Sequence, residues 1–205
     1  MAVWTEYVVA TIMYNLQILP ETLMCGVLIL GIILANQPLI AVAFGLGTTQ
    51  LLTQSAGRLL QRMAPGSATA RTSLDSCSTG FLAKSWSRLL GSNPETIWNP
   101  NAPSVYLATV GFFAGWGFAL QQVYKDEIDK GIMKRPMLVT TAILSALVLI
   151  LCIVFRISTG CESFLSSTSG TVIGLLFGFL GCIALSYATD RKATNIWGIP
   201  LLRRV

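Results

Sequence analysis

An all-α integral membrane bundle with four or five transmembrane helices is the fold this chain predicts, and three observations carry that prediction. Residues 105–124, 136–155 and 170–189 are apolar runs without Asp, Glu, Lys or Arg. Each matches the about 20 residues a helix needs to cross roughly 30 Å of hydrocarbon. Only 11% of the chain is charged and 53% is hydrophobic, against roughly 25% charged in soluble domains. Glycine is abundant at 18 residues, which suits close packing of membrane helices.

The elements follow in order. Residues 1–54 form an N-terminal apolar region, either a helical hairpin or a kinked helix. As one helix, residues 22–54 would run about 48 Å at 1.5 Å per residue, too long for an untilted crossing. The break at Asn36-Gln37-Pro38 favours a hairpin with arms near 17–35 and 38–54. Glu21 is the one acid near this region's buried stretch, and Pro20 beside it predicts a helix end there.

Residues 55–104 read as an extramembrane segment. A Ser/Thr/Gly-rich stretch over 65–80 is followed by a short basic amphipathic pattern at 81–90. There Leu82, Trp86, Leu89 and Leu90 share one helical face, and Lys84 and Arg88 share another. That pattern suits a helix lying in the headgroup region; packing on the protein's own spans is the other reading.

Residues 105–189 form a three-helix transmembrane region, and 190–205 a basic C-terminal tail. Gly170, Gly174 and Gly178 recur every four residues, as do Gly111 and Gly115. Such stripes let two backbones approach closely. The partner helix is expected within the chain, with a homo-oligomer as the alternative.

Lysine and arginine orient the spans. Four lie in 125–135 (Lys125, Lys130, Lys134 and Arg135) and four in the tail (Arg191, Lys192, Arg203 and Arg204), but only Arg156 lies in 156–169. The first two regions are therefore expected on the cytosolic side and 156–169 opposite. The helix ending at Tyr124 is expected to run one turn into water, with Asp126, Glu127 and Asp129 as a solvated helix end. The orientation also places Cys77 and Cys161 on one side, a candidate disulfide in an oxidising compartment. Cys25, Cys152 and Cys182 lie in apolar runs and read as inert thiols.

Composition narrows function. With no histidine in the chain, His-dependent triads and most zinc and haem sites are ruled out. The net charge of +5 sits in loops and the tail, so no concentrated nucleic-acid face is expected. No signal peptide is read at the N-terminus. No catalytic, cofactor or metal residues are assigned, and no small-molecule substrate is expected.

Residues 94–190 carry a more specific pattern. A Pro-rich lead-in (Asn99-Pro100-Asn101-Ala102-Pro103-Ser104) precedes a glycine-rich span, and a charged elbow follows from Tyr124-Lys125-Asp126-Glu127 to Lys134-Arg135-Pro136. The next span ends in Phe155-Arg156-Ile157-Ser158-Thr159-Gly160-Cys161-Glu162, and a Gly-x-x-x-Gly span closes the pattern. About half the chain thus resembles small multi-pass inner-membrane proteins of large icosahedral double-stranded DNA viruses. The resemblance implies a non-enzymatic structural protein of a virion's internal membrane, derived from a host internal membrane, tethering bilayer to capsid. Lys84, Trp86, Arg88 and the basic residues of the elbow and tail would then contact headgroups, capsid proteins or other membrane proteins. The alternatives are a structural subunit of a cellular membrane complex and a passive channel.

Overall fold

The computed structural model describes residues 2–63, 102–129, 135–189 and 194–195. Among these the chain is all-helical, with no strand. The elements are α1 (Ala2–Ile33), α2 (Gln37–Met63), α3 (Val105–Val123), the short α4 (Lys125–Asp129), α5 (Arg135–Ser158) and α6 (Phe164–Ala188). Two helical stretches, Ala10–Ile33 and Phe164–Ala188, are long and apolar enough to cross a membrane, and Ala142–Ser158 is a shorter apolar helix.

The N-terminal region is a hairpin of two separate helices. At the end of α1 the Ala35 N–H donates to Ile32 O (3.2 Å) and the Asn36 N–H to Gly31 O (2.9 Å). This is the Schellman arrangement, which satisfies the last carbonyls of a helix. It places Ala35 at φ 46°, a left-handed conformation that glycine usually supplies. Asn36 then starts α2, its Oδ1 accepting the Leu39 N–H at 3.3 Å, as an N-cap does. Pro38 falls in the first turn of α2, where a missing N–H costs no helix bond. The polar triplet that interrupts the apolar run is therefore the cap and first turn of α2, and Leu34 and Ala35 make the reversal.

Both arms are longer than expected. Helix α1 begins at Ala2 and α2 continues to Met63, past the boundary placed at 54. Pro20 and Glu21 also depart from expectation, because both lie inside α1. Proline removes the N–H that would bond the carbonyl four residues back, here that of Leu16. The Tyr106 hydroxyl of α3 donates to Leu16 O. A neighbouring helix thus replaces the missing donor, one of the ways membrane helices tolerate proline.

Helix α3 is the centre of the molecule. Every residue from Tyr106 through Phe112 is buried, which requires neighbours on all sides of two helical turns. Helices α1, α2, α5 and α6 all pack against it, α6 most extensively. One core cluster joins Met24, Val42, Leu46, Phe112, Trp116, Leu120 and Cys182. A second joins Tyr106, Leu107, Val110, Ala114, Leu149 and Cys152. The outward faces are apolar as well: Ile143, Leu144, Leu147, Ile150, Leu151 and Val154 of α5 are exposed, as are Val172, Leu176 and Leu180 of α6.

Candidate functional site

The glycine stripes meet each other. A Cβ built on Gly170 would collide with the backbone of Ser104, one on Gly174 with Ala108 O, and one on Gly178 with Phe112 O. From the other side, a Cβ on Gly111 would lie 2.8 Å from Thr171 O, and one on Gly115 would strike Leu175 O. Both chains advance four residues per contact in the same direction, so α3 and α6 run parallel with backbones touching. The five glycines singled out from sequence lie on this intramolecular seam.

The head of that seam carries a buried polar clasp that sequence reasoning missed. Ser104 is the N-cap of α3, its Oγ accepting the Leu107 N–H at 3.0 Å. The same hydroxyl donates to Glu162 Oε1 at 2.6 Å. Glu162 Oε1 also accepts from Arg156 Nε at 3.0 Å and Nη2 at 2.8 Å. Ser167 of α6 donates to Glu162 Oε2 at 3.4 Å. The two charged side chains are only 2% and 8% exposed. The Arg156 guanidinium carbon lies 4.8 Å from the centre of the Tyr106 ring, a cation–π contact, and the Tyr106 hydroxyl lies 3.6 Å from Cys152 Sγ. Through one carboxylate and one phenol the clasp links α1, α3, α5 and α6.

Local sequence builds this geometry. Helix α5 ends with Gly160 at φ 68°, and the Cys161 and Glu162 N–H groups both donate to Arg156 O, at 3.1 and 3.3 Å. This turn brings Glu162 back beside Arg156. Ser163 then caps α6, accepting the Ser166 N–H at 3.1 Å. The available signal was an Arg and an Glu flanking a Ser-Thr-Gly-Cys turn between two apolar runs. Isolated charges at a membrane helix end pair with one another.

Cys161, in the same turn, is disulfide-bonded and fully buried. Cys25, Cys152 and Cys182 are free thiols, Cys25 exposed and the other two buried. Cys77, the remaining cysteine of five, lies outside the described residues.

At the opposite end, Lys125 and Asp126 are exposed. Glu127, expected in a solvated helix end, is instead buried at 3% exposure. Thr194 is buried here as well, its hydroxyl 3.1 Å from the Tyr124 hydroxyl. Arg135 opens α5. Lys84, Trp86, Arg88, Lys130, Lys134, Arg191, Lys192, Arg203 and Arg204 lie outside the described residues.

No protein family, curated protein or solved structure matches this chain.

Proposed function

We propose that this chain is a non-enzymatic, structural multi-pass membrane protein whose helices act as a rigid anchor. The observation that carries this reading is the central helix α3. It is gripped along its backbone by α6 while α5 and α6 present large apolar side chains outward. A bundle whose polar groups point inward and whose outer belt is apolar suits lipid as its solvent. In this reading α1, α2, α3, α5 and α6 supply the spans. The buried clasp is a structural joint between helices.

The finer reading is a tether of an internal virion membrane to the shell above it, favoured by the resemblance over residues 94–190. The contact surface would be the end bearing Lys125, Lys130, Lys134 and Arg135 together with Arg191, Lys192, Arg203 and Arg204. Each basic side chain near an anionic surface contributes about 1 kcal/mol, so adhesion there would weaken with salt. The disulfide at Cys161 supports the opposite end as the non-cytosolic one, because disulfides persist in oxidising compartments.

Crosslinking mass spectrometry on intact particles or native membranes tests the reading. Crosslinks from Lys125, Lys130, Lys134 or Lys192 to capsid proteins are the expected result. Crosslinks confined to subunits of a cellular membrane complex would move the protein to that class, and an ohmic conductance in reconstituted bilayers would make it a channel.

A further inference from the structure

We propose that a water molecule is bound between α2 and the first turns of α3, donating its two hydrogens to the side-chain carbonyls of Gln50 and Gln54. The argument rests on a local surplus of acceptors. Gln50 is only 6% exposed, and its amide nitrogen donates to Thr109 Oγ1 at 3.1 Å. The Thr109 hydroxyl already donates to Val105 O at 2.9 Å, so its oxygen can only accept, and Gln50 must turn its NH2 toward it. The Gln50 oxygen therefore points elsewhere. It and the buried Oε1 of Gln54 have no hydrogen-bond partner among the described residues. The other hydroxyls on these turns cannot supply one. Thr49 donates to Gly45 O and Thr53 to Thr49 O, both at 2.7 Å, and both residues are buried.

Buried polar atoms in folded proteins are nearly all paired, with ordered water where no protein group serves. The spacing suits one water. Residues four apart on a helix stand side by side with Cβ atoms about 5–6 Å apart, and two O–H···O bonds of about 2.7–2.8 Å each bridge a gap of that order. Three residues beyond Gln54, a Cβ added to Gly57 would lie 3.2 Å from Ala102 Cβ, so this face of α2 lies against the lead-in to α3. The chemistry selects water over a metal ion. A buried water needs two to four polar partners, and the two amide oxygens meet that need. A divalent cation takes six or more oxygen ligands, carboxylates among them, whereas this cluster of amides and hydroxyls is neutral. The bound water completes a chain from Thr109 through Gln50 to Gln54. The hairpin is then fastened to α3 with no stranded acceptor. The site does not depend on what the bundle anchors.

The test uses the full-length protein, nitrogen-15 labelled, in deuterated detergent micelles. Water-selective rotating-frame Overhauser spectra detect water protons beside an assigned N–H, with a sign opposite to that of chemical exchange. The Gln50 amide protons should give a water cross-peak. The Trp116 indole N–H is the control and should give none. It too is buried, at 2% exposure, with no hydrogen-bond partner among the described residues. Its cluster, with Met24, Val42, Leu46 and Phe112, is apolar, and apolar cavities stay dry. In Gln54→Leu, which removes one of the water's two acceptors, the Gln50 cross-peak should be lost. Absence of the peak in the unsubstituted protein would overturn the site and assign the Gln50 oxygen to a direct bond from a rotated Gln54 amide. That arm needs no variant and decides the matter even if Gln54→Leu fails to fold. Equal peaks at Gln50 and Trp116 would overturn a bound site in favour of general water entry. A peak that survives Gln54→Leu would overturn it as well, because it would come from the exchanging Thr109 hydroxyl.

Discussion

The pair α3–α6 and the hairpin α1–α2 reach the same centre by opposite means. Along α3–α6 side chains are removed: glycine on one helix meets a backbone carbonyl on the other, from Ser104 to Phe112. The hairpin uses glycine at two places, at Gly45, where an added Cβ would lie 2.5 Å from the Phe112 ring, and beside its own turn, where a Cβ on Gly31 would lie 3.1 Å from Ile40. Elsewhere it holds the centre with long side chains, Leu16 and Leu19 in one cluster and Met24, Val42 and Leu46 in the other. It adds two hydrogen bonds, Tyr106 to Leu16 O and Gln50 to Thr109 at 3.1 Å. For helices surrounded by lipid, the setting proposed for this chain, apolar burial does not drive association, so packing and polar contacts must do it. Below its polar clasp the α3–α6 seam relies on packing of glycine against backbone, whereas the hairpin meets α3 with side chains and these two hydrogen bonds.

That contrast can be broken at several points, and the clasp should give the largest effect. Glu162→Ala leaves Arg156 buried without its carboxylate, a loss of about 3–5 kcal/mol. Thermal unfolding in detergent should show a large fall in midpoint. The double variant Arg156→Met/Glu162→Leu should recover much of it, because apolar replacement of both partners removes the uncompensated charge. A double variant no more stable than Glu162→Ala would assign the loss to packing.

Next in size is the seam. Gly174→Leu drives a side chain into the Ala108 carbonyl, and overpacking of this kind costs about 1–3 kcal/mol or more. The control is Gly117, on the same central helix, where an added Cβ meets nothing within 4 Å. Gly117→Ala should instead stabilise by up to about 1 kcal/mol through helix propensity. Similar losses in both variants would mean that helix α3 tolerates no change anywhere, and the seam would have no special standing.

The hairpin's polar bonds come third. Tyr106→Phe strips the Leu16 carbonyl of its substitute donor, a cost of about 1–3 kcal/mol for a buried group left unsatisfied. Pro20→Ala restores the intrahelical N–H, so Tyr106→Phe should cost markedly less in that background. Equal costs in a double-mutant cycle would show that the phenol acts through Arg156 or Cys152 instead.

The smallest effect belongs to Gln50. Its Oε1 is buried without a hydrogen-bond partner among the described residues, so Gln50→Leu removes one good bond and one unmet acceptor together. The net change should fall within about 1 kcal/mol, whereas Thr109→Val, which strands the amide, should cost more. Chemical denaturation of the two variants side by side decides it.

Much of the fold could be read before any tertiary contact was known. The three charge-free runs became α3, α5 and α6, and Asn36-Gln37-Pro38 became the cap and first turn of α2. These succeed because helix punctuation is local: an Asn side chain reaches the N–H three residues ahead, and proline's missing N–H acts within one turn. The α2 boundary was missed because polar residues after 54 mark exposure, and exposure does not end a helix. Pro20 was misread for a related reason. Whether proline ends a helix depends on who bonds the carbonyl four residues back, and that donor, Tyr106, is 90 residues away.

From the chain alone, the periodicity of glycine determines that smooth helical faces exist, and the apolar runs determine that two helices are long and apolar enough to cross a membrane. Which faces meet was decided only in three dimensions, where α3 and α6 align in parallel register. Arg156 and Glu162 make the same point most sharply. In sequence they look like two loop charges, but once the Gly160 turn folds them together they become the buried ion pair at the head of the central helix. Local rules act through covalent neighbours a few residues apart. Burial and charge pairing depend on which distant groups exclude water together, and no short stretch of sequence contains that information.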